Sequence, residues 1–154
     1  MTSPGGEAGG GAEPGAGAAV TRSETVPCRT DADVVAARQA VRRWATELRF
    51  TLVDQTKLVT AASELARNTV LYGGGGTMRL DALADRGRRG LRLTFEDQGP
   101  GIADLTLAMT DGYTTGSGLG LGLSGSKRLS NEFAVASAPG QGTRVTIVRW
   151  TGPG

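Results

Sequence analysis

Four consecutive glycines at positions 73–76 divide this chain into two kinds of sequence. Before them, apolar residues recur at helical spacing; after them, they alternate. Asp31 opens a helix whose apolar stripe is Val34, Ala37, Val41, Trp44, Ala45 and Leu48. Thr51 and Asp54 have the spacing of a capping box. The second helix they begin runs through Leu58, Leu65 and Ala66 and stops at the glycine run. Beyond it, one strand covers about 77–84. The next carries Leu91, Leu93 and Phe95 on one face and Arg92, Thr94 and Glu96 on the other. A short strand at about 24–29 precedes the first helix, and Pro27 would place it on a sheet edge.

After Glu96 the alternation breaks into a Gly-rich region, 97–125, interrupted by a short helical segment near 104–109. Another helical segment follows at 124–131. Strands near 132–138 and 143–150, joined by a turn at Pro139 and Gly140, close the pattern. This order predicts an α/β chain built as a two-layer sandwich, with a mixed sheet covered on one face by helices. Residues 1–20 are mostly Gly, Ala and Pro, a composition that buries too little to offset ordering entropy, so a disordered tail is expected. Residues 21–150 then form one domain and 151–154 a flexible end.

A length of 154 residues leaves room for one such domain. With 17 basic and 15 acidic residues the charge is too even to argue for nucleic acid. Arg86, Arg88 and Arg89 flank Gly87 and Gly90 and read as a solvated hairpin turn, with a phosphate-binding patch as the lesser option. One cysteine, Cys28, permits no internal disulfide, and the absence of histidine removes imidazole acid–base chemistry. No secretory leader and no membrane span are legible, so a cytoplasmic location is expected.

Four segments carry candidate chemistry. In Glu64-Leu-Ala-Arg-Asn68, one helical turn separates a carboxylate from an amide, so both project from one face. Such a pair could activate a hydroxyl and hold a hard cation, although alone it is more often an exposed polar patch. Asp97-Gln-Gly99-Pro-Gly101 follows a strand, where two glycines allow a flat ligand to approach the backbone; an ordinary turn has the same composition. Gly116-Ser-Gly118-Leu-Gly120-Leu-Gly122-Leu123 frees successive amides to face an anion ahead of a helix carrying Lys127 and Arg128. Flexible linkers share that glycine content, but leucines between the glycines need something to pack against. Gly140-Gln-Gly142-Thr143 alone is a hairpin turn.

Order and separation say more than any one segment. Glu64…Asn68, Asp97-x-Gly99-x-Gly101, Gly118-x-Gly120-Leu-Gly122-Leu123 and Gly142-Thr143 resemble, in sequence, the N, G1, G2 and G3 boxes of the GHKL (Bergerat-fold) ATPases. The resemblance covers about residues 23–150. Within that superfamily the chain is most like the anti-sigma-factor-type serine/threonine kinases, the RsbW/RsbT group, and among them the stressosome switch kinases. Ser63-Glu-Leu-Ala-Arg-Asn68, Leu71-Tyr72, Leu107-Ala-Met-Thr-Asp-Gly112 and Leu123-Ser-Gly-Ser-Lys-Arg-Leu129 carry that likeness. Gln98 stands where asparagine is frequent, and Ser124 where a proline is expected after the G2 box.

The resemblance implies ATP and Mg2+ as cofactors. It makes Asn68 the magnesium ligand and Glu64 the base that orients or deprotonates an attacking serine hydroxyl. Asp97 would accept from the adenine amino group with support from Thr143, while Gly99 and Gly101 let the ring lie against the backbone. Residues from about Ile102 to Ser117 would form a lid. Gly118, Gly120 and Gly122 would offer amides to the phosphates, with Arg67, Thr115, Gly116, Leu119, Leu121, Leu123 and Lys127 completing the nucleotide site. Implied partners are a STAS-domain antagonist as phosphorylation substrate and a PP2C-type phosphatase, and a homodimer is allowed. A second reading is an anti-sigma factor that sequesters a sigma factor by binding; a third is a nucleotide module without useful turnover.

Overall fold

The computed structural model describes residues 7–8, 13–110 and 122–151. Its elements are β1 (Glu7–Ala8), β2 (Ala19–Cys28), α1 (Asp31–Glu47), α2 (Leu52–Leu71), β3 (Gly76–Asp85), β4 (Arg88–Asp97), α3 (Leu105–Ala108), α4 (Leu123–Arg128), β5 (Glu132–Ser137) and β6 (Thr143–Trp150). The strands form one sheet in the order β1-β5-β6-β4-β3-β2. The α/β two-layer reading holds, and β2 with its Pro27 lies on an edge.

The sheet is antiparallel at every pairing rather than mixed. Two connections explain the difference. The antiparallel pair α1–α2 returns the chain so that β3 enters against β2. The β5–β6 hairpin then inserts β6 beside β4, so β5, which shares the direction of β4, never pairs with it.

Thr30 caps α1 through a reciprocal capping box with Asp33. Thr51 caps α2 by accepting from the Asp54 amide, as its spacing predicts. The Asp54 carboxylate turns elsewhere: Oδ1 accepts from Nε and a terminal nitrogen of Arg149 at 3.2 and 2.9 Å, tying the first turn of α2 to β6. The stripe of α1 is buried at Val34, Ala37, Val41, Trp44 and Ala45. Leu58, Ala62 and Leu65 of α2 meet the inward faces of the sheet at Met78, Leu80, Leu91, Leu93, Phe95 and Ile147. Period two thus places Leu91, Leu93 and Phe95 under the helices, as the alternation requires.

The arginine-rich segment is a two-residue turn, Arg86-Gly87, between the paired Asp85 and Arg88. Both turn residues have positive φ, 52° and 83°, the geometry of a tight hairpin. Arg88 stacks 3.9 Å from the Trp150 ring and Arg89 Nε donates to the Leu48 carbonyl, so this cluster serves the fold. Gly90 belongs to β4 rather than to the turn.

Residues 13–20 depart from the expected disordered tail. Pro14 and Gly15 are buried, and the turn they occupy runs into β2 at Ala19. The Gly15 amide donates to Glu132 Oε1 at 2.9 Å, and Arg92 donates to the Pro14 carbonyl at 3.2 Å. Ala18 packs on a second small cluster, Leu83, Val148 and Trp150, on the face away from the helices. Composition understated this segment because its anchors come from the sheet. Among the described residues, no helix is long and apolar enough to cross a membrane.

Candidate active site

The C-terminal half of α2 lies over the ends of β4 and β6, leaving a cleft between helix and sheet. Leu65, Phe95 and Val145 supply apolar walls, and Asn68, Asp97 and Thr143 line it with polar groups. Tyr72 and Gly73, just past the end of α2, and Ile102 and Leu123 complete the rim. All four motifs therefore contribute to one cleft, the third through Leu123, although Asn68 and Thr143 are distant in sequence. Glu64 stands one turn before Asn68, half-buried like it. Glu64 is not among the residues lining the cleft, but the glycine-rich motif meets it at Gly122, where a Cβ would stand 2.6 Å from Glu64 Oε2.

Asp97 ends β4 and sits opposite Thr143 in register. Its Oδ1 accepts from the Gly99 amide at 2.9 Å. Burial pushes its carboxyl above the usual range, only partly offset by the backbone amides of Gly99 and Thr143. A half-buried carboxylate at the end of an apolar slot suits a flat heteroaromatic ligand presenting an amino group.

Loops 98–102 and 138–142 are laced together. Gly142 N donates to Gly99 O at 3.0 Å and Gly140 N to Pro100 O at 2.7 Å. Ser137, which no sequence pattern singles out, is buried beneath both. Its Oγ accepts from Ile102 N at 2.7 Å, donates to Gly142 O at 2.9 Å and lies 2.8 Å from Thr143 Oγ1. The glycines here make room for the protein itself. A Cβ on Gly99 would stand 2.7 Å from Gly73 Cα, and one on Gly101 2.0 Å from the Ala138 carbonyl oxygen.

The remaining expected residues divide simply. Leu123 is buried at the start of α4, while Arg67 and Lys127 are exposed and not among the cleft-lining residues. The helix predicted at 124–131 is α4, Leu123–Arg128, entered through Gly122 at φ 66° with no side-chain cap. Of the lid, 102–110 contains α3 capped by Asp104. Thr115, Gly116, Ser117, Gly118, Leu119, Gly120 and Leu121 lie outside the described residues. Leu65, Thr69, Tyr72, Gly73, Phe95 and Val145 line the cleft without having been anticipated. Leu65 and Phe95 carried only the signal of core periodicity, and Gly73 only that of a helix stop.

The donor set fits a magnesium–nucleotide complex. No group of three or more His, Cys, Asp or Glu residues that could hold a metal ion occurs among the described residues. Asn68 lines the cleft and carries a single amide oxygen, which suits a cation that takes most of its ligands from phosphate and water.

Residues 53–151 match the family of histidine kinase-, DNA gyrase B- and HSP90-like ATPases. Over 121 residues the chain is 50% identical to the serine/threonine-protein kinase RsbT of Bacillus subtilis, covering 79% of this chain and 91% of that one. The chain belongs to the GHKL ATPases, in their RsbT/RsbW kinase group. Anti-sigma F factor of Clostridium novyi is 30% identical over 118 residues, covering 72% of this chain and 81% of the relative. A solved chain comprising the RsbU and RsbW domains of a Mycobacterium tuberculosis protein is similar in fold to this one, with a TM-score of 0.57 at 21% identity. That likeness covers 84% of this chain and 32% of the longer one. The GHKL match includes α2, the whole β3–β6 core and all four boxes.

Proposed function

We propose that this GHKL protein transfers the γ-phosphoryl group of ATP to a serine or threonine of a STAS-domain antagonist protein. In that reading it is a switch kinase in a partner-switching pathway, and when released it also binds and activates a PP2C-type phosphatase. The observation that carries the proposal is the meeting of Asn68 on α2 with Asp97 and Thr143 around one cleft, with Glu64 one helical turn before Asn68 and against Gly122.

Asp97 accepts from the adenine amino group, and Phe95, Leu65 and Val145 enclose the ring. Asn68 would hold magnesium through its amide oxygen, and the ion when bound would supply charge neutralisation at the phosphates. Glu64 takes the proton of the attacking hydroxyl as the new O–P bond forms and the bond from the γ-phosphorus to the β,γ-bridging oxygen breaks, releasing ADP. Such transfer depends on positioning and charge stabilisation rather than on a covalent protein intermediate, which suits a chain without histidine.

The test incubates the full chain with ATP, magnesium and a purified STAS-domain protein, followed by mass spectrometry of the substrate. One added phosphoryl group on a serine or threonine is expected. ATP binding without any transfer would sink the kinase reading. Similarity to anti-sigma F factors supports the second reading, direct sequestration of a sigma factor. A pull-down with ADP present separates the two. Capture of a sigma factor in preference to a STAS protein or phosphatase would favour sequestration.

A further inference from the structure

The hydroxyl of Ser137 has one proton and three neighbours. It accepts from Ile102 N at 2.7 Å, and its own proton goes to the Gly142 carbonyl at 2.9 Å, an oxygen that can only accept. Thr143 Oγ1 lies 2.8 Å from the same oxygen. With the Ser137 proton already committed, the Thr143 hydroxyl must donate to Ser137. Ser137 is buried, at 2% exposure, so no water is needed to complete this set.

Thr143 itself lines the cleft beside Asp97. Since its proton points back at Ser137, Thr143 can offer only lone pairs to a ligand. Asp97, when ionised, also offers only lone pairs. We propose that Ser137 is a specificity-positioning residue: by fixing the direction of the Thr143 hydroxyl it makes this end of the cleft accept and never donate, selecting 6-amino over 6-oxo purine nucleotides. The inference rests on the nucleotide reading above and deepens it.

A 6-aminopurine brings donor hydrogens to this end, whether directly or through a water that donates to Thr143. A 6-oxopurine brings an oxygen, which finds no donor while Thr143 is held. Removing the Ser137 hydroxyl frees Thr143 to turn its proton into the cleft, where it can meet that oxygen.

The test titrates the full chain calorimetrically with ADP and with inosine diphosphate. Wild type takes up ADP in preference. Ser137→Ala narrows the ADP-to-IDP affinity ratio by about tenfold, the worth of one redirected hydrogen bond. In a Thr143→Ala background, Ser137→Ala leaves the ratio unchanged, because the residue it acts through is gone. Ser137→Cys, with a weak S–H donor of similar size, restores part of the wild-type ratio. If Ser137 only braces the two loops, Ser137→Ala lowers both affinities equally, and an unchanged ratio overturns the proposal. Wild-type uptake of neither nucleotide overturns the nucleotide reading and this inference together. Uptake of ADP with a ratio insensitive to Ser137 overturns this inference alone.

Discussion

Gly122 rests against Glu64 so closely that a Cβ there would stand 2.6 Å from Oε2 and 3.1 Å from Cβ of the glutamate. The entry to α4 thus forms one wall around the candidate base. Gly122 also holds φ at 66°, where a side chain is strained. Glu64→Gln is expected to retain nucleotide binding within about threefold while lowering phosphoryl transfer by about 10²–10⁴, the usual contribution of a positioned base. Single-turnover transfer and calorimetric binding measure the two effects separately. Normal transfer by Glu64→Gln would remove it from the base role. Gly122→Ala is expected to lower transfer as well, through displacement of the Glu64 carboxylate.

Asp97 combines a proposed ligand role with a stability cost. Its carboxyl is raised by burial, so the folded state holds the proton more tightly than the unfolded chain does. Its contribution to stability is therefore fully present below the unfolded value, about 3.9, and is lost as pH rises through the folded one. Asp97→Asn should weaken ADP binding about tenfold or more, while leaving the thermal midpoint at pH 7 unchanged or higher. A large drop in the midpoint at pH 7 would contradict this account.

Gly142 is held at φ 75°, and a Cβ there would stand 2.2 Å from the Asp97 carbonyl oxygen. Neither the backbone of β4 nor the laced loop can yield without loosening the ladder. Gly142→Ala should cost about 3 kcal/mol in unfolding free energy by denaturant titration and weaken nucleotide binding in parallel. A loss below about 0.5 kcal/mol, within the scatter of ordinary surface substitutions, would show that the loops adapt.

On the face of the sheet away from the helices, Asp81 is 1% exposed. Burial pushes its carboxyl up, but hydrogen bonds from Ser23 and Arg92 and the charges of Arg79 and Arg92 outweigh it, and the net shift is downward. A lowered carboxylate stabilises the fold above the unfolded value and loses that contribution as pH falls through the folded one. Asp81→Asn should cost about 3 kcal/mol at pH 7 by leaving Arg92 without its counter-charge. The difference between wild type and variant should begin to narrow as pH falls below about 4, the ordinary aspartate value, and close once pH passes below the lowered folded one. A constant difference from pH 7 to pH 3 would rule out the ionic account.

Cys28 is fully buried at the end of β2, and burial with the nearby Asp33 charge pushes its thiol up to about 11. The native protein should resist iodoacetamide at pH 8, whereas one equivalent should react after denaturation. Rapid alkylation of folded material would place the thiol at the surface.

The chain's own sequence determined its local elements and the order of its motifs. The stripe from Val34 to Ala45, the alternation through Leu91, Leu93 and Phe95, and the stop at 73–76 each depend on neighbours within a few positions. Such patterns survive as helices, strands and ends because their period is imposed by backbone geometry. The one-turn spacing of Glu64 and Asn68 was legible for the same reason.

Only the tertiary structure decided that the sheet is antiparallel throughout, that Asp54 turns to Arg149, that residues 13–18 anchor on Arg92 and Glu132, and that Gly73 and Gly99 touch. It alone placed Ser137 under both loops, since a serine near the end of a strand carries no local mark of the three groups it will meet. These relationships join positions far apart along the chain. They form when the assembled core brings backbones together, and a short window of sequence holds no record of that closure.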